Sequence, residues 1–345
     1  MKLYRTDMTL TDANRPIRLR LGFGKKLLEN VLLIQHVSGV ETICGGIEYC
    51  LECVSMQAGL ALKQFIAMPA EIQFVTDSGN LRLVCGIIVT AMEGRSDGGL
   101  ATYRLVVRDA FSLLDQNCNT RVFKNKSEVE ITYILLSEWR QANPVSARAF
   151  QYDLNGLKDY PQRPFTMQYN ESTGAFLRRL WGRRGLAWFV RSGSASPGTG
   201  GDGVTPVHTL VLFDDASRLV KNAAGEVRFH RDNATESRDT ITAWHGIRTL
   251  TPGLVHRSSW DDIPARAFDS EASGINDQGE FGKLVAASLD DYLVDAARTG
   301  NDGIDLRRTR RGAHAAPPIR CQMLPGRRQR SQYACRRVEH HHWPS

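Results

Sequence analysis

Residues 47–55 and 103–108 alternate with the period of a β-strand. Residues 71–76 and 81–91 are rich in β-branched and aromatic side chains, and the Asp-Ser-Gly-Asn sequence at 77–80 is typical of a hairpin connection. After a turn at 94–99, apolar and mostly polar side chains alternate strictly along residues 103–108. Since successive side chains of a strand point to opposite faces, this strand is predicted to have one apolar and one mixed face. The two sets are Tyr103, Leu105 and Val107 against Arg104, Val106 and Arg108.

Two segments instead show the 3.6-residue period of amphipathic helices. Ser127 and Glu130 form a capping box ahead of an apolar helical stripe, and Asn143-Pro144 predicts the end of that helix. The second helix is predicted over residues 171–184, with Asn170 as N-cap, Glu171 in the first turn and Gly185 as a left-handed C-cap. The pattern thus predicts an α+β protein that is mainly β.

Short strands are predicted after the second helix. Residues 186–190 and 207–213 are apolar runs too short for a further helix, and residues 192–206 between them are so rich in Gly, Ser and Pro that we expect a surface loop. Residues 222–237 are polar and poorly periodic, whereas 240–249 regain strand character, with Trp244 and Ile247 as packing residues.

The segment from Tyr169 to Asp214 resembles the hub portion of the VgrG family, the spike proteins of type VI secretion systems, which is related to the baseplate hub of contractile phage tails. In that family a Tyr/His-x-Glu-Ser signal opens a helix containing Phe-Leu-x-Arg-Leu, and two strands follow. The matching positions are Tyr169, Glu171, Ser172, Phe176 to Leu180, Gly185, Leu186, Trp188, Phe189, His208 to Asp214 and, further on, Trp260-Asp261. The chain departs from the pattern at Thr173 and Gly182. A mid-helix glycine costs about 1 kcal/mol relative to alanine, so we expect a weakened helix and an unchanged fold.

This resemblance implies phage tail hub-like β-barrel domains with inserted helices. It covers about residues 17–306, which we divide into a first β-barrel-type subdomain with a helix at 17–150 and a second subdomain at 151–306; residues 1–16 are expected to be a flexible N-terminus. The family implies a structural protein rather than an enzyme: a homotrimer that sits on an Hcp-type tube protein, contacts baseplate components and carries effector or adaptor proteins. It further implies synthesis in the cytoplasm and export through the type VI apparatus without a signal peptide. A phage or prophage tail hub is the alternative.

Charge is distributed very unevenly. The 345 residues carry a net charge of +7, yet residues 307–345 alone hold ten arginines and one acid, Glu339, which leaves residues 1–306 with a net charge of −2. A chain that binds the phosphate backbone usually presents a basic surface, so no nucleic-acid partner is expected for the body. With 42% hydrophobic residues the chain is expected to bury a substantial core, in two or three domains.

The basic tail at 307–345 lacks any helical or strand period. The VgrG family continues here into an OB-fold and a β-helical needle, whereas this tail is expected to be disordered and to lie outside the family. We interpret it as the product of a frameshift near Arg308, so that the chain would be a hub without its needle and could be non-functional. The alternatives are a real basic extension that binds nucleic acid or a membrane surface, and a toxin-like enzyme, although 39 residues are too few to fold readily alone.

No apolar run approaches the ~20 residues that span a bilayer, and the N-terminus lacks the apolar middle of a signal peptide, so no membrane insertion is expected. The seven cysteines follow no regular spacing, and we predict no disulfides. Cys50 and Cys53, with Cys44 nearby, have the spacing of half a zinc site. Structural zinc needs four ligands and no second pair follows, so packing roles are predicted for these thiols.

Several other groups of residues resemble active-site motifs but have structural explanations. Gly22 to Lys26 lacks the spacing of a phosphate loop and is predicted to be a turn in an edge hairpin. Asp214 and Asp215 are adjacent on a strand end, which favours turn or capping roles. Surface or sheet positions are predicted for the single histidines His208, His230, His245 and His256. The arginines of the second helix are predicted to form a solvated helix face or intersubunit ion pairs; they are Arg178, Arg179, Arg183 and Arg184. Only adventitious metal binding is predicted for His314 and His340 to His342. No catalytic, cofactor-binding or metal-ligating residue is predicted.

Overall fold

The computed structural model describes residues 11–12, 14–24, 26–28, 30–75, 81–96, 99–193, 205–219, 250–261, 265–273 and 277–295. The predictions for residues 77–80, 222–237 and 240–249, for most of residues 1–16 and of the loop at 192–206, for His230 and His245 and for the tail at 307–345 lie outside these ranges. In the described part of the chain, no helix has the length and apolar character needed to cross a membrane.

The first part of the chain forms a seven-stranded sheet. Its strands, in spatial order β2-β1-β5-β6-β7-β4-β3, are β1 (Ile17–Phe23), β2 (Lys26–Leu28), β3 (Leu33–Thr42), β4 (Gly46–Ser55), β5 (Pro69–Val75), β6 (Leu81–Ser96) and β7 (Ala101–Arg108). All the described pairings in this sheet are antiparallel. A short 3₁₀ helix, Leu62–Gln64, lies between β4 and β5.

The sheet curls so that its apolar face encloses one core. Tyr49 on β4 and Phe74 on β5 are separated by two intervening strands, yet their ring centroids lie 6.5 Å apart. Arg82 on β6 and Glu41 on β3 form an ion pair of 2.6 Å in the same way. Such contacts across non-adjacent strands require strong curvature, which agrees with the barrel-like architecture expected from the resemblance.

The alternation in the first part of the chain is confirmed. β5 and β6 pair antiparallel, and on β7 Tyr103, Leu105 and Val107 are buried. β6 extends to Ser96, because Ser96 still pairs with Ala101, and so it overlaps the turn predicted from Gly94 onward. β6 also serves two cores: Ile88 belongs to the core inside the sheet, and Ile87 points to a second core outside it.

Helices and short strands build the second core. Its elements are the 3₁₀ helix Ala110–Gln116, β8 (Cys118–Phe123), α1 (Glu128–Ala142), α2 (Pro144–Ala149), β9 (Phe150–Gly156), β10 (Thr166–Ser172), α3 (Thr173–Arg184), β11 (Ala187–Ser192) and β12 (His208–Phe213). β8 pairs with β10, and β12 lies between β11, which is antiparallel to it, and β9, which is parallel. Phe111, Phe176 and Trp181 are fully buried here.

The predicted start of α3 is wrong by two residues. Asn170 has a left-handed φ of 46° and Glu171 lies in β10, so the helix begins at Thr173 with Ser172 as its N-cap. The Ser172 hydroxyl accepts from the backbone N–H of Ala175 at 3.1 Å. Glu171 keeps an electrostatic role, since its carboxylate pairs with Arg179. The helix end is confirmed, because Gly185 has a φ of 69° in the left-handed region.

The capping box at the start of α1 is confirmed in both directions. Glu130 N–H donates to the Ser127 hydroxyl at 3.2 Å, and the Ser127 N–H donates to the Glu130 carboxylate at 2.8 Å. α1 ends at Asn143 as predicted. Asn143 then caps α2, a helix missed in the sequence, through its side-chain oxygen.

The sequence pattern places helix α1 in the first subdomain, but the helix packs in the second core. Ile131, Leu135 and Leu136 lie against Trp181 and its neighbours, and the Trp181 indole N–H donates to the Thr132 hydroxyl at 2.9 Å. The change of core therefore occurs near Asp109, at the end of β7, rather than near residue 150. Local patterns do not reveal which of two cores a helix covers, which explains the difference.

A third group of elements follows residue 250. It contains β13 (Leu254–Asp261), β14 (Arg266–Ser273), α4 (Gly279–Ala286) and β15 (Asp290–Asp295), with the strands in the order β14-β13-β15. β14 is antiparallel to β13, and β15 is parallel to it. The Trp260-Asp261 motif is the end of β13.

Candidate functional site

The segment that carries the resemblance, from Tyr169 to Asp214, forms the centre of the second core. Trp181 stacks on Phe111 with centroids 5.0 Å apart, and Trp188 on β11 contacts the same ring edge-on at 5.1 Å. Phe176 stacks on Phe123 at 5.9 Å. Aromatic pairs of this kind add to the free energy of burial, so the motif specifies packing.

The arginines of α3 do not share one environment. Arg178 pairs with Asp115 and Arg179 with Glu171, both partly exposed, as expected for a solvated face. Arg184 contradicts that expectation, because its side chain is buried and pairs with Glu128 at 3.0 Å. A helical wheel could not reveal this, since Glu128 lies 56 positions earlier in the chain.

Glu128, Arg163 and Arg184 form a buried charge cluster. The Glu128 carboxylate is fully buried and accepts from the Arg163 guanidinium at 2.5 Å as well as pairing with Arg184. Arg184 also lies over the Tyr160 ring, 5.5 Å from its centroid. Buried charges are costly unless paired, so this cluster fixes the start of α1, the end of α3 and the segment before β10 relative to one another.

Asp215 has the predicted capping role, whereas Asp214 contacts residues more than 50 positions earlier in the chain instead of a turn. The Asp214 carboxylate accepts from the Lys158 backbone N–H and from the Tyr160 hydroxyl, each at 3.2 Å. Burial and Asp214 raise the pKa of Tyr160, which keeps its hydroxyl a donor. Asp215 caps a short 3₁₀ helix by accepting from the Ser217 N–H at 3.0 Å.

A buried histidine lies within the second core, and a buried aspartate connects the two cores. His208 on β12 is fully buried, and its Nε2 accepts from the Ala110 backbone N–H at 2.9 Å. Asp109 accepts from Ile47 N–H of the first sheet at 3.1 Å and from Ser112 N–H of the second core at 2.9 Å. Burial lowers the pKa of His208 to about 4 and raises that of Asp109. His208 is a sheet histidine, consistent with the prediction.

A cleft of about 210 Å³ lies on the same junction, beside the turn between β3 and β4. Its charged lining is paired: Arg178 with Asp115, and Arg108 with Glu48 at 3.4 Å. Cys44, at a φ of 61° in that turn, donates its N–H to the Trp188 carbonyl at 2.8 Å. The Cys44 side chain is exposed, yet partial desolvation by the surrounding protein raises the pKa of its thiol, which disfavours the nucleophilic thiolate.

The cysteine pair on β4 is separated by the sheet. Cys53 faces the first core with a pKa raised to about 12 by burial, while Cys50 lies on the other face and accepts from Arg104 at 2.9 Å. Within the described ranges, no three His, Cys, Asp or Glu side chains are grouped to hold a metal. Gly22 to Lys26 is the expected edge hairpin, since β2 lies at the end of the sheet.

His256 lies on the surface of the third group, on β13. Its Nδ1 is 2.8 Å from Asp290 and its Nε2 is 3.4 Å from Glu271, one carboxylate on each neighbouring strand. The hydrogen bond to Asp290 is the main cause of the raised pKa of His256, whose side chain is partly exposed. The arrangement is a cross-strand charge contact, in keeping with the predicted sheet position.

The described residues thus form a β-rich scaffold with more than one core. Residues of the motif from Tyr169 to Asp214 contribute to packing in the second core. The chain belongs to the phage tail baseplate hub (GPD) family, whose model matches residues 40–339. The match extends into the basic tail that we expected to lie outside the family. The frameshift interpretation of that segment stays a prediction.

Two relatives from Pseudomonas aeruginosa are type VI secretion system spike proteins. VgrG4b is 28% identical over 188 residues, covering 54% of this chain and 21% of the relative. VgrG1c is 23% identical over 286 residues, covering 81% of this chain and 36% of the relative. The chain thus spans about a fifth to a third of the length of these relatives. Among solved structures, a tail protein from Neisseria meningitidis is 12% identical with a TM-score of 0.49, covering 86% of this chain and 74% of that one.

Proposed function

We propose that this chain is the hub of a trimeric tip spike in a type VI secretion apparatus. The observation that carries the proposal is the family match over residues 40–339, together with the spike proteins among its relatives. The motif segment supports a structural role, because its aromatic residues are buried in the second core. In this proposal the chain is not an enzyme, and it leaves the cell through the apparatus without a signal peptide.

The proposed partners are two further copies of the chain, a hexameric Hcp-type tube protein beneath the ring, baseplate components, and effector or adaptor proteins. Subunits that assemble into a ring need complementary surfaces rather than a catalytic pocket. Closure of the ring would cover exposed sheet edges. Among the described strands, β2 and β3 lie at the two ends of the seven-stranded order.

Binding to the tube protein tests this function. The full chain would be mixed with the Hcp-type hexamer encoded in the same genome, and the mixture analysed by sedimentation and negative-stain electron microscopy. We expect rings capped on one end by the chain. Tube hexamers that sediment without the chain at micromolar concentrations of both proteins would contradict the proposal. An unrelated hexameric ring protein serves as the control.

A contractile phage or prophage tail hub is the second candidate, since the matching family is described by that role. Deleting the gene in its host distinguishes the two. Loss of tube-protein release into the medium, with tail particles still formed after prophage induction, supports the secretion system. Loss of tail particles with tube-protein release unchanged supports the phage tail.

A further inference from the structure

The strand β15 lies at the edge of the third group of elements, with little apolar packing to hold it there. Among the described strands it pairs with β13, which is parallel to it. Tyr292, Leu293 and Val294 are each at least half exposed. An element with few buried apolar contacts opens at low free-energy cost, so polar contacts with β13 matter for keeping β15 in place.

Two ion pairs among the described residues connect side chains of β13 to β15, one on each face of the sheet. Arg257 lies 2.6 Å from the Asp291 carboxylate, and His256 Nδ1 lies 2.8 Å from the Asp290 carboxylate. Asp290 and Asp291 are neighbours on one strand and so point to opposite faces. Arginine is charged at every ordinary pH, whereas histidine loses its charge near neutral pH. Of these two contacts, the one made by His256 therefore depends on pH.

The charged side chains around His256 are mainly acidic. On its face of the sheet, register and contacts place titratable groups from both neighbouring strands: Glu271 and Asp269 on β14, and Asp290 and Tyr292 on β15. The helix α4 carries Glu280 and Lys283, and Lys283 pairs with Asp277. The protonated ring is thus a positive charge beside three carboxylates, and cross-strand pairs of opposite charge stabilise a sheet.

We propose that His256 is a pH-dependent contact that holds the edge strand β15 on β13 while its ring is protonated and loosens β15 when the ring is neutral. The protonated ring donates from both nitrogens, so it binds Asp290 and Glu271 at once and joins all three strands. The neutral ring has one N–H and no charge, and the carboxylates on this face then repel one another. The Arg257 contact remains, so β15 loosens without leaving the sheet. The inference concerns one chain alone and does not rest on the proposed function.

The direction of the pH dependence follows from the partners of His256. The hydrogen bond to Asp290 is the main cause that raises the pKa of His256 above its usual 6.5. The contact is therefore complete below pH 6.5 and is lost as the pH rises through the higher pKa of the folded state. Loosening of β15 is thus expected on the alkaline side of neutrality.

Hydrogen exchange followed by mass spectrometry tests this contact in the full chain. Exchange of the peptide that covers residues 290–295 is measured at pH 5.5 and 8.5, and comparison with the intrinsic rate at each pH gives a protection factor. We expect this factor to fall roughly threefold in the wild type at the higher pH, as for the loss of one exposed cross-strand ion pair. In His256→Gln, which is neutral at both pH values, the factor should be low and equal at both.

His36→Gln is the matched control. His36 also lies beside a carboxylate, with its Nδ1 4.0 Å from Glu52, but on the first sheet. This variant should keep the wild-type pH dependence of the peptide at 290–295. Slow exchange in peptides of β7 shows that each variant keeps its first sheet.

The results distinguish the His256 contact from other causes. A wild-type protection factor that is equal at the two pH values overturns the inference, as does a peptide without protection at either value. A fall of the same size in His256→Gln assigns the pH dependence to another group and also overturns it. NMR titration of the wild-type ring is an independent check: a midpoint at or below 6.5 contradicts the contact. A higher midpoint, with a pH dependence that His256→Gln abolishes and His36→Gln keeps, supports it.

Discussion

At the scale of single residues, Gly46 shows how closely the two cores approach. Its φ is 80°, and a Cβ at this position would lie 2.4 Å from the Asp109 carboxylate. Both the backbone conformation and the space therefore require glycine. Asp109 cannot move away without losing its bonds to Ile47 and Ser112, which connect the first sheet to the second core.

We expect Gly46→Ala to lower the free energy of unfolding by roughly 2–4 kcal/mol, the combined cost of left-handed strain and overpacking. Gly182→Ala is the control, because a Cβ there meets nothing within 4 Å and alanine favours the helix by about 1 kcal/mol. Urea unfolding of the three proteins measures both effects. Equal stability of Gly46→Ala and the wild type would show that the junction is looser than described.

At the scale of elements, α1 combines a feature that sequence predicts with one that it does not. The capping box of Ser127 and Glu130 is a local pattern of four residues, and it was predicted correctly. The burial of Glu128 between them depends on Arg163 and Arg184, which reach it only after the chain has folded. Local sequence patterns thus predict the helix boundaries, whereas ion pairs between residues far apart in the chain cannot be predicted from them.

Glu128→Gln should therefore destabilise the protein far more than Ser127→Ala. Loss of the cap costs about 1 kcal/mol, whereas removing a buried carboxylate that pairs with two buried arginines costs roughly 3–5 kcal/mol. Thermal unfolding followed by circular dichroism ranks the two variants. A Glu128→Gln midpoint equal to or above that of Ser127→Ala would contradict a stabilising role for the cluster.

At the scale of the whole molecule, sequence identified the β-rich class and the family but not the division into cores. Apolar alternation on β7 and the aromatic motif of α3 and β11 were sufficient for the first two. The change of core at Asp109 was missed because β6 contributes Ile88 to one core and Ile87 to the other. A strand buried on both faces gives no signal of where one core ends.

His208, buried in the second core, should make the whole molecule sensitive to acid. His208 must be neutral to accept from the Ala110 N–H, and burial lowers its pKa from 6.5 to about 4. The unfolded chain therefore binds a proton between these values that the folded chain does not, so stability falls as pH decreases from about 6.5 to 4. A shift of this size corresponds to a loss on the order of 3 kcal/mol. Asp109, whose pKa is raised by burial, acts in the opposite direction.

Urea unfolding at pH 7.5, 6, 5 and 4.5 compares the wild type with His208→Gln, whose amide oxygen can accept the same N–H without titrating. We expect the variant to be less stable than the wild type at pH 7.5 and its stability to depend less on pH between 6.5 and 4. Because Asp109 and the other carboxylates titrate in both proteins, the difference between the two curves isolates His208. Parallel curves would mean that His208 is not held neutral and buried in the second core.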